Sequence, residues 1–283
     1  MSVAYLLVFH GSRDPRPQQA VTHLVHRLAA RISSPYSAAH RQAATLTVDT
    51  AGADGMRCLT AHSAAAPQVA CAPLECGPQP LHGEIYRLGK KLLQQEENAQ
   101  HTIRILPLFL LEGVHVREDI PEEVEQARQM LPATVSLQLL TYIGAYSPLT
   151  VPLAQAMSEQ KADAWMLVSH GTRRCHGNQP VERTATRLAE MTQQEVFCAY
   201  WSVSPYIAER IDTAIASGYR RIGVLPYFLF PGGLTDAIGE QIQQLQASRQ
   251  VACFLTPPLG VRDEFVRLLD EVLAAGTINN SEY

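Results

Sequence analysis

The sequence contains LLVFHGSR at residues 6–13, and a similar string, MLVSHGTR, follows at residues 166–173. A second pair of strings keeps the same order: LPLFL at residues 106–110 and LPYFL at residues 225–229. Each string begins with a short apolar run, which is typical of a buried strand. A glycine follows each apolar run within a few residues and indicates a turn. The two pairs therefore predict a duplicated fold.

Apolar runs of strand length alternate along the chain with longer segments of helical period, which favours parallel sheets with helices on both faces. The fold class predicted is α/β, with two tandem domains that each contain a four-stranded parallel sheet. We expect one domain at residues 1–160 and the other at 161–283. Strands are predicted at 3–9, 68–74, 103–110, 135–140, 164–169, 195–201, 221–228 and 251–255, and helices at 17–32, 81–93, 120–131, 148–157, 181–191, 205–217, 236–247 and 263–274.

Composition excludes several classes of protein. The chain is 46% apolar and 18% charged, as is usual for a globular protein. It has no apolar run long enough to span a bilayer and no recognisable secretory signal, so no membrane association is expected. A net charge of −4 argues against nucleic-acid binding. The six cysteines include no Cys-x-x-Cys pair, so we expect reduced thiols and a cytoplasmic location; the oligomeric state, monomer or homodimer, stays open.

The two repeats differ in length. His10 and His115 lie 105 positions apart, whereas the corresponding positions, His170 and Leu234, lie 64 apart. Alignment of Cys71 with Cys198 places most of the difference in an insertion at about residues 33–67, with a smaller one at about residues 94–101. The larger segment is rich in small residues and shows little periodicity, so it is either a lid over a site or an inert loop.

Two histidines are predicted to meet in the first repeat. His10 directly follows the first strand and His115 follows the third. These strands are neighbours in a flavodoxin-like sheet, so both side chains should emerge at the carboxyl edge where ligands bind. Imidazole binds iron, cobalt and nickel and can accept a proton. The second repeat has Leu234 in the place of His115, so we expect an incomplete metal site there.

Four more residues are candidates for the same site. Glu75 ends the second strand, where a carboxylate could accept a proton or assist metal delivery, or simply begin a helix. Arg13 and Arg117 flank the histidines and could bind substrate carboxylates. Ser12 could bind a ligand or cap the next helix. The chain has 20 arginines and 3 lysines, which reflects either compositional bias or the use of arginine to hold carboxylates.

These strings resemble the class II tetrapyrrole chelatases of the sirohydrochlorin chelatase (CbiX/SirB) family, in the long form with two repeats. The resemblance rests on LVFHGSRDP at residues 7–15, Leu74-Glu75, and LPLFL leading to GVHVREDIP at residues 113–121. It covers nearly the whole chain except the insertion and the C-terminal tail. It implies insertion of a divalent metal substrate, Fe²⁺ or Co²⁺, into sirohydrochlorin without a permanently bound cofactor. The paired histidines of the family correspond to His10 and His115, as metal ligands or bases.

The chain lacks the histidine-rich tail and the cysteine-rich segment of some cobalt-type members, which favours iron and a sirohydrochlorin ferrochelatase of sirohaem biosynthesis. A cobaltochelatase of cobalamin biosynthesis and a non-catalytic carrier of tetrapyrrole or metal remain as alternatives. A histidine phosphatase would need an arginine directly before the histidine, and Phe9 and Ser169 occupy those positions.

Overall fold

The computed structural model describes residues 2–34, 67–95 and 99–275. The insertion expected at about 33–67 falls almost entirely outside the described residues. The strands are β1 Ser2–Phe9, β2 Gln68–Pro73, β3 His101–Pro107, β4 Val135–Leu139, β5 Ala164–Ser169, β6 Val196–Tyr200, β7 Arg221–Pro226 and β8 Ala252–Leu255. The helices are α1 Pro15–Ile32, α2 Leu81–Gln95, α3 Ile120–Met130, α4 Thr150–Ser158, α5 Gln179–Thr192, α6 Ile207–Ala216, α7 Gly233–Arg249 and α8 Asp263–Ala275.

Every predicted strand and helix is present, and the differences lie at their ends. Among these, the third strand of each repeat ends at Pro107 or Pro226 rather than at residue 110 or 228. Proline has no amide hydrogen to donate, and the chain leaves the sheet just beyond it. Beyond the prolines, Leu108 and Tyr227 pack in the layer between the two sheets, whereas Phe109 and Phe228 pack with the outer layers.

The strands form two four-stranded parallel sheets, ordered β2-β1-β3-β4 and β6-β5-β7-β8. Leu7 lies opposite Cys71 in the first sheet, and Leu167 lies opposite Cys198 in the second. Since Leu7 and Leu167 each precede a repeated histidine by three residues, this register confirms the alignment of Cys71 with Cys198. The two sheets are copies of one structure.

Apolar side chains fill three layers. The outer face of the first sheet packs against α2 and α3, and the outer face of the second packs against α6 and α7. Between the sheets lies one continuous core, to which both inner faces and helices α1, α4, α5 and α8 contribute. Each sheet therefore has helices on both faces, as predicted, and the middle layer belongs to both repeats. No described helix is long and apolar enough to cross a membrane.

The last helix of each repeat packs against the other repeat. Helix α4, from the first repeat, contacts β7 and α5 of the second. Helix α8, at the end of the second repeat, contacts α1 of the first, and its Leu273 carbonyl accepts a hydrogen bond of 2.9 Å from Arg104 on β3. The two repeats are interlocked by this exchange.

Arginines join the repeats around this middle layer. Arg31 on α1 pairs with Asp270 on α8 at 2.9 Å, and Arg262 pairs with Glu159. Arg16 binds Asp14 in its own repeat and Asp236 of α7, each at 2.5 Å. The hydrogen bond from Arg16 holds the pKa of Asp14 below its usual value. Part of the arginine excess thus serves contacts between the repeats.

Candidate active site

The carboxyl ends of β1 and β2 bring His10 and Glu75 together. Pairing of the two strands continues past their ends, because the amide of Glu75 donates a hydrogen bond of 2.9 Å to the carbonyl of His10. Gly11 then turns the chain away with φ of +89°, and a β-carbon at this position would lie 1.9 Å from the Glu75 carbonyl oxygen. Only glycine fits this conformation and this close approach. The repeated His-Gly pair therefore encodes a turn that places the histidine at the edge of the sheet.

His10 and His115 lie next to each other, as their strand positions predicted. Their ring centroids are 4.8 Å apart, and the ring planes meet at 84°, so one imidazole faces the edge of the other. Phe109 lies beside both, with its centroid 6.3 Å from that of His10 and 6.1 Å from that of His115. The pair thus lies against an aromatic side chain at the end of β3.

Glu75 reaches toward both histidines. One carboxylate oxygen lies 4.0 Å from Nδ1 of His10, and the other lies 3.9 Å from Nε2 of His115. Both distances exceed a hydrogen bond, and about half of the Glu75 side chain is exposed. The carboxylate is therefore positioned to receive a proton from either imidazole after a small movement.

Asp119 orients His115 from the side opposite Glu75. Nδ1 of His115 lies 2.6 Å from Oδ2 of Asp119. A carboxylate only accepts hydrogen bonds, so Nδ1 carries the proton and Nε2 keeps its lone pair. Both residues lie on a single wide π-helical turn, His115–Asp119, directly before α3. The His-x-x-x-Asp spacing could have revealed this contact, but the sequence reasoning assigned Asp119 no role.

His10, like His115, keeps a free lone pair on Nε2. Its Nδ1 lies 3.2 Å from the carbonyl oxygen of Gly11, which can only accept, so this contact also places the proton on Nδ1. Nε2 of both rings is thus available as a ligand or a base. Among the described residues there is no group of three or more histidine, cysteine or acidic side chains arranged to hold a metal ion.

The other three candidates lie around this pair with different contacts. The hydroxyl of Ser12 accepts a hydrogen bond of 3.0 Å from the amide of Asp14, and Asp14 caps α1. Arg13 is exposed. Arg117 is also exposed, and it donates a hydrogen bond of 2.9 Å to Glu112.

The second repeat reproduces the turn but not the pair. The amide of Ser202 donates to the carbonyl of His170 at 2.9 Å, so Ser202 occupies the position of Glu75. Nδ1 of His170 contacts the carbonyl of Gly171 at 2.9 Å, which is the local hydrogen bonding expected of this copy. Leu234 stands in the position of His115 and packs against the apolar layer between the second sheet and its outer helices.

A cavity of about 430 Å³ opens between the repeats at this edge of the sheets. His10 and His170 both line it, one from each copy. Its remaining wall is mostly apolar and comes from both repeats: Phe9, Gly11, Pro17, Leu108, Phe109, Leu110, Leu111, Ser169, Tyr227, Phe228, Leu229 and Phe230. The sequence reasoning placed the site between two α/β units but did not identify this aromatic wall.

A second, larger cavity of about 560 Å³ lies beside the first. Tyr227 lines both cavities, and burial raises its pKa to about 12. In the second cavity, burial raises the pKa of Tyr142; Glu112 adds to this effect, and Arg117 and Arg183 oppose it. Tyr142 of the first repeat and Arg183 of the second both line this cavity.

Comparison with known proteins identifies the family. The family model CbiX matches residues 86–160 and again residues 164–275. The chain belongs to this family, as a member with two repeats, and the resemblance noted in the sequence is confirmed.

One relative is the sirohydrochlorin ferrochelatase of Priestia megaterium, 28% identical over 184 residues that cover 61% of this chain and 67% of the relative. The fold matches that of the sirohydrochlorin chelatase SirB from Bacillus subtilis subspecies spizizenii in complex with cobalt, with a TM-score of 0.67, 20% identity, and 98% of this chain and 96% of that one covered. SirB from Bacillus subtilis with Fe³⁺ gives a TM-score of 0.66 at 20% identity, covering 99% of this chain and 97% of that one.

Proposed function

We propose that this chain is a sirohydrochlorin ferrochelatase, which inserts Fe²⁺ into sirohydrochlorin to give sirohaem and releases two protons. The observation that carries the proposal is the edge-on pair of His10 and His115 beside a cavity between the repeats. Family membership and the ferrochelatase from Priestia megaterium support it.

The reaction requires groups that bind a metal weakly and accept protons. Sirohydrochlorin must lose two pyrrole protons as the metal enters, and a neutral imidazole can serve as ligand or base. In our proposal Nε2 of His10 and Nε2 of His115 perform this role, and Glu75 receives protons from them. Ser12, Arg13 and Arg117 bind the substrate around the pair. The active site belongs to residues 1–160, and residues 161–283 complete the cavity.

The choice of metal is the finer part of the proposal. The name of the curated relative supports iron, whereas one structural relative contains cobalt and the other Fe³⁺. Imidazole suits iron, cobalt and nickel alike. A cobaltochelatase therefore stays as the second candidate, and a cytoplasmic location stays a prediction.

Anaerobic metallation of sirohydrochlorin, with Fe²⁺ and Co²⁺ in parallel assays followed by absorbance, tests the proposal. We expect many turnovers per protein molecule, with Fe²⁺ preferred. A higher kcat/KM for Co²⁺ would indicate the cobaltochelatase. Stoichiometric binding of ring or metal without faster insertion would identify a carrier instead.

A further inference from the structure

The second cavity is lined by two arginines that no carboxylate neutralises within the described residues. Arg183 and Arg187 lie one helical turn apart on α5, so their side chains are neighbours. Both are exposed, and Nη1 of Arg187 donates a hydrogen bond of 2.8 Å to the hydroxyl of Ser147. The rest of the wall is formed by uncharged residues, among them Tyr142 and Tyr146. This surface is positively charged in a chain whose net charge is −4.

The duplication supplies an internal comparison. Arg27 on α1 occupies the position of Arg187 in the other repeat. Each arginine stands directly before a Leu-Ala pair and lies 17 residues after the histidine of its own His-Gly turn. Asp263 occupies the position of Ser147. Asp263 lies three residues after Gly260, which packs against the backbone of Leu229, and Ser147 lies three residues after Gly144, which packs against the backbone of Leu110.

The two copies use these positions differently. Arg27 forms an ion pair with Asp263 and also binds the Val261 carbonyl at 2.9 Å. Arg187 meets a hydroxyl where the other copy has a carboxylate. The Arg27–Asp263 pair is therefore neutral, whereas the Arg187–Ser147 pair keeps a positive charge at the wall of the cavity.

This charged wall adjoins the cavity that contains His10. Tyr227 lines both cavities, and Leu110 of the first cavity packs directly on Gly144 of the second. Arg117, two residues after His115, does not add to this charge, because it is already paired with Glu112 at 2.9 Å. An apolar cavity beside His10 thus adjoins a wall that carries Arg183 and Arg187.

We propose that Arg183 and Arg187 bind carboxylate groups at the rim of the tetrapyrrole, while its flat ring lies in the apolar cavity beside His10. The inference rests on the proposed function. Sirohydrochlorin is a large apolar ring edged with carboxylates, and a guanidinium fork holds a carboxylate through two parallel hydrogen bonds. The second repeat, which has Leu234 in the position of His115, thereby determines which tetrapyrroles bind in the cavity.

The test measures ring binding in the absence of metal, by absorbance titration of sirohydrochlorin into the full-length chain. Arg183→Gln and Arg187→Gln are each expected to weaken binding about fivefold, as for loss of one partly exposed charged contact. Ser147→Asp keeps Arg187 but restores the carboxylate of the other copy, and should weaken binding to a similar extent. Arg27→Gln, the matched control, should leave ring affinity unchanged, and circular dichroism verifies the fold of each variant.

A second probe separates charge from general damage. Fully methyl-esterified sirohydrochlorin has no carboxylates, so the wild type should bind it more weakly than the free acid. The arginine variants should show a much smaller preference for the free acid over the ester than the wild type does. Equal loss for both probes would overturn the proposal, because it would indicate a disturbed cavity.

Ring binding by the wild type and by the variants distinguishes the arginine site from the proposed function. A wild type that binds and metallates sirohydrochlorin, with variants that bind it equally well, would overturn the arginine site and leave the proposed function intact. A wild type that does not bind sirohydrochlorin would overturn both.

Discussion

Asp119 holds His115 through a hydrogen bond of 2.6 Å between the carboxylate and Nδ1, on the side of the imidazole away from Nε2. The contact fixes both the tautomer and the direction of the ring, as acidic partners of metal-binding histidines commonly do. Asp119 is about 43% exposed, so its role in orienting His115 does not depend on deep burial.

Asp119→Asn should lower kcat for metallation about tenfold, the lower range for loss of such a partner. The asparagine can still accept from Nδ1 but no longer carries the charge that fixes the tautomer. Sirohydrochlorin affinity, measured without metal, should stay within about twofold. Glu118→Gln, next to it and exposed, serves as the control and should retain the wild-type rate. A variant with wild-type kcat would show that Asp119 does not position the histidine.

The two copies of the His-Gly turn should differ in their importance for activity. His10→Ala and His115→Ala should each reduce kcat/KM at least about a hundredfold, the lower range for loss of a general base. His170→Ala should retain most of the activity, since Leu234 leaves it without a partner histidine. Steady-state metallation assays of the three variants make the comparison. Equal losses at His170 and His10 would contradict assignment of the active site to the first repeat.

Gly11→Ala should destabilise the protein by about 3 kcal/mol or more and abolish metallation. The new β-carbon would collide with the Glu75 carbonyl at a residue whose φ is +89°, so the turn between β1 and α1 must rearrange. Gly113→Ala is the matched control, because no described residue has an atom within 4 Å of a β-carbon there. Urea unfolding measures both effects. A Gly11→Ala variant as stable as the control would mean that the turn adapts without cost.

Asp163 should stabilise the chain at neutral pH and lose this effect in acid. Its carboxylate accepts hydrogen bonds from the Arg221 side chain and from the amides of Arg220 and Arg221, which hold its pKa near 2 against an ordinary value of 3.8. The folded state thus favours the charged form, and the stabilisation is lost as pH falls from about 4 toward 2. Asp163→Asn should be less stable than the wild type at pH 7, and the difference should shrink toward pH 2 and vanish below it.

Urea midpoints measured across this pH range check the prediction for Asp163. Glu240→Gln, an exposed change on α7, controls for the loss of one negative charge. A difference between Asp163→Asn and the wild type that is independent of pH would locate the effect in packing rather than in ionisation.

The apolar runs predicted the strands, and the repeated strings predicted the alignment of the two repeats and the meeting of His10 with His115. This succeeded because the position of a residue along a buried strand determines the sheet edge at which the following residue emerges. The contact between His115 and Asp119 was not predicted, because polar residues four apart occur on many helices and few of them pair. The unneutralised charge of Arg187 was also missed, since it depends on contact with Ser147, which is distant in sequence.

The exchange of α4 and α8 between the repeats could not be read from the sequence either. Helical periodicity shows which face of α4 is apolar, but it carries no information about which sheet that face contacts. The family model ends its first match at residue 160, after α4, although α4 packs against β7 of the second repeat. The boundary between repeats along the chain is therefore not the boundary between packed units.

A cut at residues 159–163 would accordingly not yield two self-sufficient proteins. The first fragment would carry α4 without the strand it packs on, and its own α1 would lose the partner supplied by α8. A first repeat that folds alone would have to be built as a circular permutant, with residues 263–275 joined ahead of β1 and α4 removed. This exchange makes the two repeats mutually dependent, so the second repeat is part of the scaffold that holds the histidines.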